Sequence, residues 1–265
     1  MGLINAFNIK NKDIITIVGA GGKTSLMFSA SSLLRKNYKV LVTTTTNIYV
    51  PEEKFYDEMI MLSDGKYNKI SKENENCNNK KYDNEKYHDI AKNNKNGVYV
   101  IGNYIVNNSK VKGLTFEQLD KITPYFDIVI IEGDGSKEKC LKGWNDTEPV
   151  IYPKTTKTIG VVDIASIGMD INEDNIHRLD RFLDIINDKT SDKVKVEHLK
   201  NVVLSKSGLF KMSIGKKILF VNKVENIENK EHTLQLIKHI KNENTSYIDK
   251  FIYGSILKSK FHVYI

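Results

Sequence analysis

A glycine-rich segment that ends in a lysine and two hydroxyl residues lies near the start of the sequence, as Gly19-Ala20-Gly21-Gly22-Lys23-Thr24-Ser25. It follows a β-branched run, Ile14 to Val18, and the apolar residues from Leu26 to Leu34 recur at helical spacing. Backbone N–H groups can surround a polyphosphate only where side chains do not intervene, and a helix N-terminus attracts the anion. The segment therefore predicts a strand, a phosphate-binding loop and a helix.

Two side chains of this loop have the chemistry for handling a nucleoside triphosphate. Lys23 is predicted to reach the β- and γ-phosphates as a catalytic residue, and the Thr24 hydroxyl is predicted to bind Mg²⁺. The common loop G-x-x-x-x-G-K-S/T has a further glycine where this sequence has Ile17, so the present loop is shorter. It resembles the compact phosphate loop of Mur-type ligases. The alternative interpretation is a glycine-rich turn that binds nothing.

An acidic turn follows a second buried strand, Asp127 to Glu132. A carboxylate at the carboxyl end of a parallel strand lies where ligands bind in open α/β sheets, so Glu132 is predicted to be a metal ligand. The segment from Glu132 to Gly135 is also similar to the D-x-x-G turn of GTPases, in which the glycine amide contacts the γ-phosphate. Asp134 is predicted to be catalytic by orienting the attacking water, or to bind the metal through water. The alternative is that Asp134-Gly135 only forms a tight turn.

Two further segments are candidates for contacting the nucleotide. Asn222-Lys223-Val224-Glu225 follows a late strand and resembles the N-K-x-D base-recognition motif, with Glu225 one methylene longer than the usual aspartate. The hydroxyl run Thr43 to Thr46 follows the strand Val40 to Val42, and Thr45 is predicted to contact Mg²⁺ or the γ-phosphate. Polar strand ends without a ligand are the alternative in both places.

The alternation of strands and helices predicts the fold class. Helical patterns separate several apolar runs, and the pattern from Ile176 to Ile186 predicts one such helix. We expect a single α/β domain over residues 1–265, with a three-layer, mostly parallel sheet covered by helices on both faces, as in P-loop NTPases. Residues 65–97 are rich in Asn, Lys, Glu and Tyr and poor in aliphatic side chains, which predicts an inserted, mobile loop.

Composition limits the partners and the compartment. The 265 residues carry 40 Lys+Arg and 33 Asp+Glu, a formal charge of +7, but the basic residues are spread along the chain. Because a nucleic-acid-binding surface needs clustered charge, no nucleic-acid partner is expected. Two cysteines, Cys77 and Cys140, cannot form a disulfide framework, and there is neither a leader pattern nor an apolar run long enough to span a membrane. We expect a cytoplasmic protein without a membrane partner.

Several motifs in a fixed order resemble the family of YqeC-type accessory proteins associated with selenium-dependent molybdenum hydroxylases. The correspondence covers nearly the whole chain apart from the insert. Its segments are Val18 to Ser25 (V-G-A-G-G-K-T-S), Thr43 to Thr46 (T-T-T-T), Glu132 to Lys137 (E-A-D-G-A-K, with Gly133 and Ser136 replacing alanines), Glu148 to Ile151 (E-P-V-I), His177-Arg178, Asn222 to Glu225 (N-K-x-D) and Gly254-Ser255.

The resemblance implies a cytoplasmic P-loop protein that takes part in maturation of a molybdenum enzyme whose cofactor carries selenium. ATP or GTP with Mg²⁺ would be its ligand, and a molybdenum hydroxylase or a molybdenum-cofactor intermediate would be its partner. Arg178 would clamp a phosphate, although without the resemblance it reads as a solvent-facing helical residue. Hydrolysis, kinase or nucleotidyl transfer to a cofactor precursor, and a nonhydrolytic adaptor that only binds nucleotide remain open.

Overall fold

The computed structural model of the chain describes residues 1–63, 79–243 and 246–264, with residues 79–85 described as backbone only. Its helices are α1 (Leu3–Phe7), α2 (Lys23–Leu34), α3 (Asn79–Lys92), α4 (Phe116–Ile122), α5 (Leu179–Ile186), α6 (Val196–Leu204) and α7 (Ile227–Glu243). Its strands are β1 (Ile14–Gly19), β2 (Lys39–Thr44), β3 (Asn47–Tyr49), β4 (Glu58–Met61), β5 (Gly97–Gly102), β6 (Ile105–Val106), β7 (Lys110–Lys112), β8 (Ile128–Glu132), β9 (Leu141–Lys142), β10 (Lys157–Asp163), β11 (Ile176–His177), β12 (Lys216–Asn222), β13 (Lys250–Ser255) and β14 (Lys260–Tyr264).

A nine-stranded sheet in the order β14-β13-β12-β10-β1-β8-β2-β5-β4 forms the centre of the molecule. Its strands pair in parallel, except that β14 runs antiparallel to β13. Strand β1 lies between β10 and β8, and the chain leaves it towards β2 on one side, whereas β10, β12 and β13 follow on the other. Ligands of open α/β sheets bind outside the carboxyl ends of the strands at such a change of direction. The glycine-rich loop between β1 and α2, which the sequence predicts to bind phosphate, lies at this point.

The central strands are buried on both faces, which explains their continuous apolar sequences. On β2, Val40 and Val42 pack in one core cluster with residues of α1 and α2, and Leu41 packs in another with residues of α4. Helices α5, α6 and α7 cover the remaining part of that second face. The predicted α/β class, with helices on both faces of a mostly parallel sheet, is confirmed.

Two local predictions differ from the structure. Part of the loop expected over residues 65–97 is helical, since α3 covers Asn79–Lys92 and its Ile90 is buried in the core, and β5 begins at Gly97. Residues 64–78 lie outside the described part of the chain. The helix expected from Ile176 begins only at Leu179, because Ile176 and His177 pair in parallel with β9 as strand β11.

The described helices also bear on membrane insertion. Over the described ranges, no helix combines the length and the apolar character needed to cross a membrane.

Candidate functional site

Three glycines give the loop between β1 and α2 its shape. Gly19, Gly21 and Gly22 have φ angles of +104°, +76° and +135°, values that L-residues with a side chain rarely adopt. A methyl group on Gly21 would lie 2.3 Å from Asp163 Cβ, and one on Gly22 would lie 2.3 Å from Asn222 Nδ2. The loop is therefore pressed against the ends of the neighbouring strands and excludes larger residues at these positions.

Lys23 is the first residue of α2, and its side chain is almost completely buried. Its Nζ donates to Gly19 O at 2.8 Å and lies 3.5 Å from Asp134 Oδ1 and 3.7 Å from Glu132 Oε1. Burial by itself would lower the pKa of Lys23, but the charges of Asp134 and Glu132 outweigh it and raise that pKa. The ammonium group therefore stays charged over the loop, held between two carboxylates.

Thr24 and Glu132, the two residues predicted to bind Mg²⁺, are in direct contact. Thr24 Oγ1 donates to Glu132 Oε2 at 2.7 Å, which joins the start of α2 to the end of β8. Burial raises the pKa of Glu132, and the opposing charge of Lys23 reduces the effect. A hydroxyl next to a carboxylate fits Mg²⁺ in a phosphate loop, where water and the phosphates complete the ligand set. Within the described ranges, no three His, Cys, Asp or Glu side chains form a metal cluster by themselves.

Asp134 is fully buried, and its carboxylate is surrounded by donors. Both oxygens accept from the Gly19 amide at 3.1 Å, and Oδ2 also accepts from Trp144 Nε1 at 2.7 Å and from Lys142 Nζ at 3.1 Å. Lys23 is the remaining nearby cation. These contacts hold the loop to the segment after β8.

Three further residues predicted to bind the nucleotide, Ala20, Ser25 and Gly135, differ in their contacts. The amide of Ala20 donates to Val161 O at 3.2 Å and is thus engaged within the sheet. Ser25 is exposed in the first turn of α2. Gly135 offers its carbonyl to Lys142 Nζ at 2.6 Å. The structure therefore leaves the Ser25 side chain exposed, whereas the Gly135 carbonyl is bound by the buried Lys142.

Thr45 lies next to the metal candidate but has other partners. Its amide donates to Glu132 O at 3.1 Å, and its hydroxyl donates to Val150 O at 2.7 Å. The preceding Thr44 hydroxyl also donates to Glu132 O, at 2.8 Å. In this structure the threonine run therefore supports the backbone that carries Glu132.

The base-recognition candidates Asn222 and Glu225 lie at the carboxyl end of β12, next to the end of β13. Asn222 Nδ2 donates to Gly21 O at 2.9 Å, so this residue joins the phosphate loop to β12. Glu225 is exposed, and its Oε1 accepts from Ser255 Oγ at 2.8 Å. Its backbone carbonyl accepts from Lys258 Nζ at 2.7 Å, and none of the described residues donates a hydrogen bond to its Oε2.

Asp163, at the end of β10, is a site residue that sequence reasoning missed. Its Oδ2 lies 2.5 Å from Lys223 Nζ in an ion pair, and no donor among the described residues reaches this oxygen with hydrogen-bond geometry. Burial raises the pKa of Asp163, although Lys223 opposes the shift. The signal was present, since a carboxylate directly follows a buried apolar run, as at Glu132.

Arg178 precedes α5 with a left-handed backbone, φ 58°. Its guanidinium donates to both oxygens of Glu148, at 2.6 and 2.9 Å, and Lys142 Nζ donates to the same carboxylate at 3.0 Å. Burial alone would raise the pKa of Glu148, but the Arg178 hydrogen bonds and the Lys142 charge hold it below its ordinary value. The clamp expected for a ligand phosphate is thus occupied by a carboxylate of the chain itself.

Comparison with known proteins assigns the family. Residues 15–180 match the sequence profile described as YqeC protein. The chain belongs to the YqeC family. It is 27% identical over 249 residues to the protein named "Uncharacterized protein YqeC" of Escherichia coli (strain K12), a match that covers 90% of this chain and 87% of that protein. No solved structure matches the chain.

The range that matches the family covers part of the candidate site. It contains the phosphate loop, Glu132, Asp134 and Arg178, whereas the base-side segment Asn222 to Glu225 lies beyond it. The glycine loop and the carboxylates Glu132 and Asp134 therefore lie within the part of the chain that matches the family.

Proposed function

We propose that this YqeC-family chain is a Mg²⁺-dependent nucleoside-triphosphate-binding protein, an ATPase or GTPase. The observation that carries the proposal is the position of Lys23 Nζ, 2.8 Å from Gly19 O and flanked by Glu132 and Asp134, in a glycine loop at the switch point of the sheet. A glycine-rich turn without a ligand would not need a buried lysine beside two carboxylates, because burying charges is costly.

Each residue has a specific task in this proposal. The glycine loop presents backbone N–H groups to the phosphates, and Lys23 turns from Gly19 O to the β- and γ-phosphates, whose charge it offsets. Thr24 and Glu132 hold Mg²⁺, which neutralises charge on the phosphate oxygens when it is bound. The 2.7 Å contact between Thr24 and Glu132 brings both ligand groups together in advance.

The contacts of Asp134 favour a second candidate function, nucleotide binding without hydrolysis. A group that activates water needs an accessible oxygen, whereas Asp134 is fully buried and accepts from Gly19, Lys142 and Trp144. Asp134 would orient water only after releasing some of these donors. In the adaptor alternative, the nucleotide is a structural ligand that prepares the protein for a partner.

The biological role we propose is maturation of a selenium-dependent molybdenum hydroxylase in the cytoplasm. Its support is the ordered set of family motifs, including Glu148-Pro149 and His177-Arg178, which lie together around Lys142. A molybdenum hydroxylase or a molybdenum-cofactor intermediate would then be the partner, and transfer of a phosphoryl or nucleotidyl group to that intermediate is a further possible reaction.

Nucleotide affinity of Lys23→Ala tests the proposal. Loss of the ammonium group should weaken binding of ATP and GTP with Mg²⁺ by about a hundredfold, as expected for losing a charged contact. Isothermal titration calorimetry measures the affinities. Lys54→Ala, at an exposed lysine paired with Glu52, is the matched control and should bind like the unmodified chain. Equal affinities for all three proteins would overturn the assignment of the loop.

Turnover assays separate the candidate reactions. Release of inorganic phosphate with Mg²⁺ and nucleotide alone would indicate hydrolysis, and labelled product formed only with an added molybdenum-cofactor precursor would indicate transfer. Tight nucleotide binding with background turnover, even in the presence of a molybdenum hydroxylase, would indicate the adaptor.

A further inference from the structure

A chain of alternating charges leads from the glycine loop through buried side chains to the partly exposed Arg178. Lys23, Asp134, Lys142, Glu148 and Arg178 follow one another, with contacts of 3.5, 3.1, 3.0 and 2.6 Å between successive side chains. Lys142 has no exposed side-chain surface, and Asp134 has none either. Because each buried charge has a partner of opposite sign on both sides, the chain fixes the orientation of Asp134.

Trp144 also contacts the Asp134 carboxylate directly, through an uncharged hydrogen-bond donor. It is the single tryptophan of the sequence, its side chain is buried, and its Nε1 donates to Asp134 Oδ2 at 2.7 Å. The indole also lies under Lys142 Nζ, with 5.3 Å between the nitrogen and the ring centre. The same Asp134 carboxylate accepts from the Gly19 amide, so one group separates the indole from the phosphate loop.

The segment that carries Lys142 and Trp144 is itself firmly placed. Strand β9 pairs with β11, and the Gly143 amide donates to His177 O at 2.8 Å. A methyl group on Gly143 would lie 2.4 Å from the amide nitrogen of Phe182, so the segment packs directly on the backbone of α5. The backbone next to Trp144 is therefore held in place by strand pairing and by packing on α5, and this fixes the position of the indole N–H.

We propose that Trp144 and Lys142 are positioning residues of the phosphate loop. Asp134 accepts from the Gly19 amide and lies 3.5 Å from Lys23 Nζ, so by orienting Asp134 they fix the start of the loop and hold the Lys23 ammonium in place for polyphosphate. The environment of the Trp144 N–H then changes when Lys23 moves towards bound phosphates. This inference rests on the proposed nucleotide binding. It extends that site to residues that do not touch the ligand.

The affinity test uses Trp144→Phe, which keeps an aromatic ring but removes the N–H. Loss of a hydrogen bond to a buried carboxylate should weaken binding of Mg²⁺ and GTP or ATP about tenfold. Tyr152→Phe is the matched control, because Tyr152 is also buried and donates to Asp120 of α4 at 2.5 Å rather than to Asp134. Unchanged affinity in Trp144→Phe, or the same loss in Tyr152→Phe, would overturn the proposal.

A second measurement does not need a nucleotide. The single indole N–H gives one resonance in a ¹⁵N-correlated NMR spectrum of the labelled protein. Lys23→Met should move this resonance, since it removes the cation that shares Asp134, whereas Lys54→Met should not. An unmoved resonance in Lys23→Met would overturn the coupling. If the unmodified chain bound neither nucleotide while Lys23→Met still moved the resonance, the proposed function would fail and the link between Trp144 and the loop would stand.

Discussion

Replacement of Lys142 by methionine should destabilise the protein more than any change of an exposed lysine. The side chain is completely buried, and its Nζ lies 3.1 Å from Asp134 Oδ2, 3.0 Å from Glu148 Oε2 and 2.6 Å from Gly135 O. Methionine has a similar shape but offers no donor. Two acidic groups would therefore lose their shared cation.

The expected magnitude follows from removing one cation from a buried network of charges, in which Asp134 keeps Lys23 and Glu148 keeps Arg178. Breaking a buried pair by removing one partner costs about 3–5 kcal/mol in the free energy of unfolding. For a domain of this size, each kcal/mol lowers the melting temperature by about 2–4 °C. Lys142→Met should therefore melt about 6–20 °C below the unmodified protein. In the double variant Lys142→Met/Glu148→Gln, the loss should be smaller than the sum of the single losses by about 0.5–3 kcal/mol.

Urea denaturation and thermal melting followed by circular dichroism measure both quantities. Lys54→Met serves as the control, because Lys54 is exposed and pairs only with Glu52 and the Phe55 ring in the described part of the chain. An exposed pair contributes little, so this control should melt within about 2 °C of the unmodified protein. A Lys142→Met protein that melts equally close would refute the argument that Lys142 neutralises buried carboxylates.

Three other predictions concern the loop, the acid stability and the base. Gly22→Ala should lower the free energy of unfolding, measured by urea denaturation, by about 1–3 kcal/mol, because Gly22 has φ +135° and the new methyl group would meet Asn222 Nδ2. Gly2→Ala should leave it unchanged, because the space around Gly2 is open. Equal values for the two variants would contradict this prediction. Burial, with the charges of Arg178 and Lys142, lowers the His177 pKa from 6.5 to about 4. Between these two pKa values only the unfolded chain binds the proton, so the free energy of unfolding falls as the pH is lowered through this range. His177→Gln should remove about 1–2 kcal/mol of this decrease, a value reduced because the side chain is partly exposed. An unchanged dependence of the melting temperature on pH in the variant would contradict the prediction. Glu225→Ala should bring the affinities for ATP and GTP about tenfold closer to each other, without changing the affinity for tripolyphosphate, which has no base. An unchanged difference between the two affinities in calorimetry would show that Glu225 does not recognise the base.

The parts of the site that lie next to each other along the chain were predictable from the sequence. A β-branched run, a glycine loop and an amphipathic pattern specify strand, turn and helix locally, and the structure has them as β1, the loop and α2. Glu132 was also placed correctly at the end of a strand beside β1, because parallel strands of an α/β sheet end at one edge.

The contacts around Asp134 were not predictable, for a physical reason. Lys142 ends the two-residue strand β9, which is too short to give a periodic signal, and Trp144 and Glu148 lie in the irregular segment that follows. Their meeting depends on the pairing of β9 with β11 and on the close approach of Gly143 to α5. Tertiary packing alone decides such contacts. The hydrogen bond from Trp144 Nε1 to Asp134 is one of these contacts.

Melting temperature during nucleotide titration tests the central claim most directly. ATP, GTP and their nonhydrolysable analogues are each added with and without Mg²⁺. A ligand at about a hundred times its dissociation constant stabilises the folded chain by about 2.7 kcal/mol, which corresponds to about 5–11 °C here. The account predicts a shift of this size that requires Mg²⁺ and is absent in Lys23→Ala. No shift with any nucleotide, or an equal shift in Lys23→Ala, would contradict it.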